Sequence, residues 1–298
     1  MSWRTLFIEE SEELSLYLDN VKVRRASSDF VFPLSDLLII LIDNYKTIIT
    51  VKLITACAIR NIPIIVCGDN HHPLCIIHPL SGHYVGSKVL NEQISWTIDQ
   101  KNTIWMTIIQ HKIAKQLFVL KQFDKSQESW ALLQNYINSV QDGDSTNREG
   151  LAAKVYFRAL FGDGFSRRED SALNACLDYG YSVFRAIISK TVVAKGLCPQ
   201  LGIFHRGAQN DFNLSDDILE LFRSVVDGFV YARFRDVKIF VRECRLEILK
   251  MLDGKIQFGT QKLSIGNIIE KTIDSLLTYF RKGVIAQELG FEPTIYDI

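Results

Sequence analysis

The chain has 298 residues, 47% of them apolar and 23% charged, with 34 Lys/Arg balancing 34 Asp/Glu. That length holds one large domain or two ordinary ones around a sizeable core, and a formal charge of zero excludes a surface that attracts nucleic acid over its whole extent. The balance is uneven: residues 1–100 carry 8 Lys/Arg and 11 Asp/Glu, a net −3, which leaves 26 and 23, a net +3, for residues 101–298. The later part is therefore the weakly anion-binding half.

Residues 1–75 read as a β-rich unit. Trp3–Ile8, Leu14–Leu18, Val21–Arg24, Phe30–Pro33, Leu37–Ile42, Thr47–Thr50 and Ile64–Cys67 are short apolar or alternating runs, with a short helix over Leu53–Ile59. Many short strands and few helices predict a small, sandwich-like domain. Residues 71–85 form a proline-bearing connection, with 76–85 as the linker proper. This stretch holds four of the six histidines, His71, His72, His78 and His83. With Cys67 and Cys75 they match no familiar zinc spacing, so they read as incidental to a polar connection.

From residue 86 to 298 the periodicity is helical. Ile94, Ile98, Trp105, Ile109, Ile113 and Leu117 fall near one stripe of a long helix. Further helices are expected over Trp130–Val140, from Thr146 or Asn147 to Phe161, from about Asp170 to Lys195 with Gly196 beyond, from Ser215 through Phe234, over Val237–Met251, and from Ser264 through Phe280. Gly254–Ser264 reads as a loop or small hairpin, and Gly290–Ile298 as a loose ending. The fold class expected is thus α+β, a small β-rich N-terminal domain followed by a larger all-α domain.

Cys57, Cys67 and Cys75 lie in or near apolar runs and are expected to be buried thiols; Cys176, Cys198 and Cys244 complete the six, with no framework spacing. The opening residues lack a basic segment and a small-residue cleavage site, and charges break every apolar run well before about 18 residues. A reduced cytoplasmic compartment and no membrane association are expected.

One stretch concentrates candidate chemistry: HRGAQNDFNLSDDILELFRSVVD, from His205 to Asp227. On a helix Asp217 and Glu220 share a face, Asp216 and Glu220 nearly so, and Arg223 follows. Glu149 opens an earlier helix in NREGLAAKVYFRALFG. Each residue also has an ordinary account. Thr146-x-x-Glu149 is a capping box, Asp216 and Asp217 follow a Ser215 cap at the favourable end of a helix dipole, and a lone histidine commonly serves a loop. Gly150, Ala152 and Ala153 point further, since they let a ligand or a second backbone come close. Arg148, Arg158, Arg167, Arg168, Arg185, Arg206 and Arg223 frame the same segments and suit phosphate, although acids flanked by arginine also describe an ion-pair network.

Four strings in order resemble the CRISPR-associated integrase in its type II branch: Asn147–Phe157 (NREGLAAKVYF), Leu177–Tyr181 (LDYGY), Gly196–Arg206 (GLCPQLGIFHR) and Leu214–Asp227 (LSDDILELFRSVVD). The chain departs from the family's pattern at Leu221 and Ser224, where proline is frequent, and at Asp178, where asparagine is common. The resemblance implies that Glu149, His205 and Glu220 are catalytic and hold Mg2+ or Mn2+. Asp217 is then a secondary acid, and Arg148, Arg206 and Arg223 are candidate contacts to DNA phosphates. It implies a prokaryotic enzyme that inserts short foreign fragments into a CRISPR array, the fragment's 3′-hydroxyl attacking a repeat-end phosphodiester. The implied partners are DNA, a second copy of the chain joined through the β-rich domain, a small second adaptation protein, the type II effector nuclease and an accessory adaptation protein. The competing readings are a metal-dependent phosphoester hydrolase and a non-catalytic DNA-binding scaffold.

Overall fold

Six consecutive apolar residues, Leu37–Ile42, form a strand buried along its whole length. Such a run suits a strand covered on both faces. In the computed structural model, which describes residues 4–10, 12–25, 28–69, 71, 73–77, 79, 86–284 and 289–296, this strand organises the N-terminal part. The strands there are β1 (Arg4–Ile8), β2 (Glu13–Tyr17), β3 (Asn20–Arg24), β4 (Asp29–Pro33), β5 (Leu37–Ile42), β6 (Ile48–Ile49), β7 (Ile64–Cys67) and β8 (Pro73–Ile77), with α1 (Val51–Ile59) crossing between β6 and β7. One sheet has the order β1-β5-β7-β8 and the other β4-β3-β2-β6. In the first, β1, β5 and β7 run parallel and β8 is antiparallel to β7.

The alternation of β5 divides two cores. Ile40 and Ile42 join Leu6, Ile8 and Ile64 in a core with Leu14, Val21 and Val23 of the second sheet. Ile39 and Leu41 point the other way, with Ile65 and Cys67, into the core of the helices. Ion pairs seal the same boundary. Asp43, just past β5, receives Arg245 Nε at 3.2 Å and lies 2.9 Å from His71 Nδ1, and Arg245 also reaches Glu9 at 3.5 Å.

The helical part comprises α2 (Gly86–Ile94), α3 (Ile98–Gln122), α4 (Gln127–Ser139), α5 (Arg148–Phe161), α6 (Ala172–Ala194), α7 (Asn213–Leu219), α8 (Arg223–Phe234), α9 (Arg242–Lys250) and α10 (Ile265–Lys282). A third small sheet joins β9 (Lys255–Phe258), β10 (Gln261–Ser264) and β11 (Ile295–Tyr296) in the order β10-β9-β11. Mixed sheets followed by helices are the α+β class expected from the sequence.

Several expectations are corrected. The stretch read as a connection contains β8, whose Cys75 is exposed because an edge strand leaves one face open. His72, His78 and all of residues 80–85, His83 among them, lie outside the described residues. The long stripe starting at Ile94 is broken: Thr97 and Gln100 form a capping box that starts α3 afresh, with Thr97 Oγ1 accepting from Gln100 N at 3.2 Å and Gln100 Oε1 from Thr97 N at 3.0 Å. Ile94 and Ile98 are each 64% exposed, whereas Trp105, Ile109 and Ile113 are buried. The ending is packed and paired over its described residues, 289–296. Leu289 and Phe291 are buried, and Ile295 and Tyr296 pair with Ile256 and Lys255.

Urea titration checks this stripe. Ile109→Ala is expected to cost about 2–5 kcal/mol, and Ile98→Ala no more than about 0.5 kcal/mol. Equal costs would mean that the buried face of α3 is misassigned.

Candidate active site

The sequence places Glu149 where a helix starts, and the local backbone frees it from capping. Asp144 (φ 48°) and Asn147 (φ 52°) adopt left-handed conformations in the turn before α5. The Asp144 carboxylate accepts from the amides of Arg148 at 2.7 Å and Glu149 at 3.0 Å, and Asn147 Oδ1 accepts from Gly150 at 3.2 Å. Asp144 thereby takes the Glu149 amide that the Thr146 side chain of the expected capping box would have used, and no such box forms. The small size of Gly150 also has a local cause, because a Cβ there would lie 2.7 Å from Asn147 Oδ1. The Glu149 side chain instead crosses to α3, where Lys112 Nζ donates to its Oε1 at 2.6 Å.

Lys112 meets a second carboxylate on the same ammonium, Oε2 of Glu220. Glu220 is 3% exposed and lies in a break between α7 and α8, which the sequence reading had as one continuous helix. Its other oxygen accepts from Arg223 Nε at 2.7 Å. Ser215 does not cap this segment. The helix starts two residues earlier, and the Ser215 hydroxyl is buried against Ser189 Oγ at 2.8 Å. Glu149 and Glu220 therefore converge on one buried cation. Burial disfavours every charge here, yet Arg223 and Lys112 hold the Glu220 carboxyl below its ordinary value, and Glu220 and Glu149 keep Lys112 protonated.

Asp217 performs a different task from Glu220. Fully buried, it accepts from the amides of Ile203 at 2.5 Å, Phe204 at 3.0 Å and His205 at 3.1 Å, and it lies 2.7 Å from His205 Nδ1. Gly202 permits this closure, since a Cβ there would collide with the His205 carbonyl oxygen. The imidazole also stands edge-on to Trp105, centroids 5.8 Å apart, and Phe204 stacks on the same indole at 4.4 Å. The hydrogen bond to Asp217 raises the pKa of His205 above its ordinary value. With Nδ1 engaged, Nε2 is the nitrogen left to meet a ligand.

His205 and Arg223 line an open cleft of about 290 Å³ with Tyr181, Arg185 and Asp216. On its other side His205 lines a second cleft of about 360 Å³ that holds Lys101 and Arg206. The Arg223 guanidinium lies 4.7 Å from the centroid of Tyr181, whose hydroxyl donates to buried Asp227; burial pushes that carboxyl up to about 6. Arg148 is drawn instead to Tyr136 on α4, at 5.8 Å from its ring centroid.

The cluster suits a hard divalent cation in donor type and in charge. Mg2+ takes oxygen ligands at about 2.0–2.1 Å, and oxygens that bracket one ammonium nitrogen can close on one ion with small side-chain rotations. A histidine oriented by a carboxylate through its far nitrogen is a recurrent ligand arrangement. As the side chains stand, the Lys112 ammonium lies between the two carboxylates, and among the described residues no three His, Cys, Asp or Glu side chains are close enough together to hold one ion. Lys112 is the residue that the sequence reading missed. Its signal was a lysine falling beside the apolar stripe of α3, which periodicity alone does not separate from a solvated position.

Residues 6–243 match the family model described as CRISPR associated protein Cas1. The chain is 31% identical over 287 residues to the CRISPR-associated endonuclease Cas1 of Neisseria meningitidis serogroup C (strain 8013), covering 95% of this chain and 93% of that one. Two solved structures share the fold. A casposase bound to integration product has a TM-score of 0.75 at 17% identity, over 97% of this chain and 93% of that chain. A Cas6-RT-Cas1–Cas2 complex has 0.72 at 14% identity, over 97% of this chain and 36% of that chain. With the family model matching most of its length and a relative aligned nearly end to end, this chain belongs to the Cas1 family of CRISPR-associated endonucleases.

Proposed function

We propose that this chain joins short DNA fragments to the ends of a CRISPR repeat, and that Glu149, Glu220 and His205 are the residues that hold the metal for it. The observation that carries the reading is the convergence of Glu149 and Glu220 on a single cation, with Glu220 bonded to Arg223, which lines a cleft together with His205. One phosphodiester bond forms as another breaks, so the joining step requires no nucleotide cofactor and no covalent enzyme intermediate. A bound Mg2+ or Mn2+ would polarise the phosphodiester and offset charge building on phosphorus.

The chain's own groups divide the remaining work. Glu149 and Glu220 supply the negative charge, and Asp217 fixes the His205 ring with Nε2 available. Arg223 neutralises Glu220 through Nε and has further donors to offer a phosphate oxygen at the cleft. Arg206, with Lys101, continues the basic wall on the far side of His205. With water in place of the fragment hydroxyl the same groups give hydrolysis. Insertion at both repeat ends calls for two such sites held apart, which a second copy and a small partner protein would provide. Supporting a role for the β-rich part in that assembly, Phe30 and Val31 of edge strand β4 are 42% and 48% exposed.

A second reading, a DNA-binding scaffold without chemistry, draws on Lys112 standing in the cation position. Strand transfer of a short duplex into repeat-bearing plasmid separates the two. With Mn2+ present, Glu149→Ala and Glu220→Ala are each expected to lose about a hundredfold or more in rate, beyond the loss typical of residues that merely support ligands. Wild-type rates in both variants would remove the two glutamates from the site, and DNA binding with no strand transfer by the wild-type chain would leave the scaffold reading.

Lys112→Met strips two carboxylates of their shared partner. It is expected to cost roughly 3–5 kcal/mol in thermal unfolding with chelator present, and Mn2+ is expected to stabilise this variant more than wild type. Equal stabilisation of both would mean that the cation position is not a metal position.

The pH dependence has a defined sign. Asp217 raises the pKa of His205, so the ring stays protonated to higher pH, and a protonated ring cannot ligate. The Mn2+ concentration for half-maximal binding is therefore expected to rise as pH falls from about 8 to about 6, with His205→Ala losing that slope. An unchanged slope in His205→Ala would remove the ring from the ligand set.

A further inference from the structure

The back of the break at Glu220 is held by parts of the chain that the proposed chemistry does not use. Lys115 lies one turn along α3 from Lys112 and is 4% exposed. Its ammonium donates to the Leu221 carbonyl at 3.1 Å. That carbonyl sits inside the break, where the Val225 amide turns to Phe222 O at 3.0 Å. A ring covers the ammonium: Lys115 Nζ is 3.4 Å from the centroid of Phe291, which is itself 3% exposed and stacked on Phe222 at 4.9 Å.

Phe291 is fixed in turn by the segment after it. The Glu292 amide donates to Gln257 O at 3.2 Å, Thr294 Oγ1 to Gln122 Oε1 at 3.0 Å, and Ile295 and Tyr296 pair with β9. Sinking an ammonium into a core costs free energy that a Met or Leu of similar volume would not. Burial pushes the pKa of Lys115 well down; a carbonyl oxygen and a ring face oppose that by favouring the charged form, and the carbonyl belongs to the residue after Glu220. Cation–π contact over a desolvated ring adds to that hold.

We propose that Lys115 and Phe291 are a positioning pair for Glu220: the segment 291–296 straps the break from behind and sets the distance of the Glu220 carboxylate from Glu149. The inference rests on Glu220 acting at the site. One helix then carries both controls, Lys112 at the carboxylates and Lys115 at the main chain behind them. Slack in the strap moves a metal-holding oxygen while leaving Arg185 on α6 and the second cleft, with Lys101 and Arg206, in place.

The test uses the full chain with Phe291→Ala, Phe291→Leu, Lys115→Met and Glu220→Gln. The readouts are strand-transfer rate, half-maximal Mn2+ concentration, DNA affinity by anisotropy and thermal unfolding. Phe291→Leu is expected to keep the fold and to bind DNA within about twofold, yet to need about tenfold more Mn2+ and to lose about tenfold in kcat, since misplacement of reacting groups by about 1 Å costs up to about a hundredfold. Lys115→Met is expected to match it, and Phe291→Ala to be worse in every readout. Wild-type Mn2+ requirement and kcat in Phe291→Leu would overturn the proposal, as would a loss of rate only in proportion to folded fraction. Phe291→Leu decides the matter should Phe291→Ala fail to fold. If Glu220→Gln keeps wild-type activity, the role of Glu220 falls and the pair has nothing to position. If Glu220→Gln is inactive while Phe291→Leu is wild type, only the strap falls.

Discussion

An ammonium wedged between two carboxylates is the interaction around which this molecule is arranged. Lys112 comes from the middle of α3, Glu149 from the start of α5 and Glu220 from the break between α7 and α8. Three buried or half-buried charges cost several kcal/mol each in desolvation, and mutual attraction offsets that only with tight geometry. Much of the surrounding structure can be understood as securing the geometry. Asp144 takes the Glu149 amide that a Thr146 cap would have used, and Arg223 holds the second oxygen of Glu220. Lys115 fastens the backbone behind it.

Asp217 on α7 and Glu220 just past its end divide their labour by what lies opposite. Asp217 faces a loop with three amides and an imidazole to satisfy, so it shapes the chain around His205. Glu220, three residues later, faces α3 and meets cations. The sequence shows two acids sharing a helical face; it does not show which meets backbone donors and which meets charge.

Much of the fold was readable because local chemistry and tertiary context agree. The apolar run Leu37–Ile42 is a buried strand, Ser264 caps α10 through the Asn267 amide at 3.4 Å, and α6 ends near Gly196, whose φ is 80°. Reading failed where two local signals competed or where the partner was distant. Ile94 and Ile98 fit the stripe of α3, but Thr97 and Gln100 cap there and rotate both outward. Thr146 and Glu149 satisfy a capping pattern, yet Asp144 reaches the Glu149 amide first. At the candidate site the spacing of Asp217, Glu220 and Arg223 was legible from helical geometry. The joint selection of Glu149 with Glu220 came from the resemblance, because no local rule links residues that far apart. Lys112 and Phe291 were invisible for that reason too, since each acquires its meaning from a neighbour in another element.

Strand β5 belongs to two cores at once, Ile40 and Ile42 on one side and Ile39 and Leu41 on the other. A wall shared by two rooms cannot be pushed from one side only. A substitution that repacks the outer sheet therefore presses on the same backbone that packs against the helices.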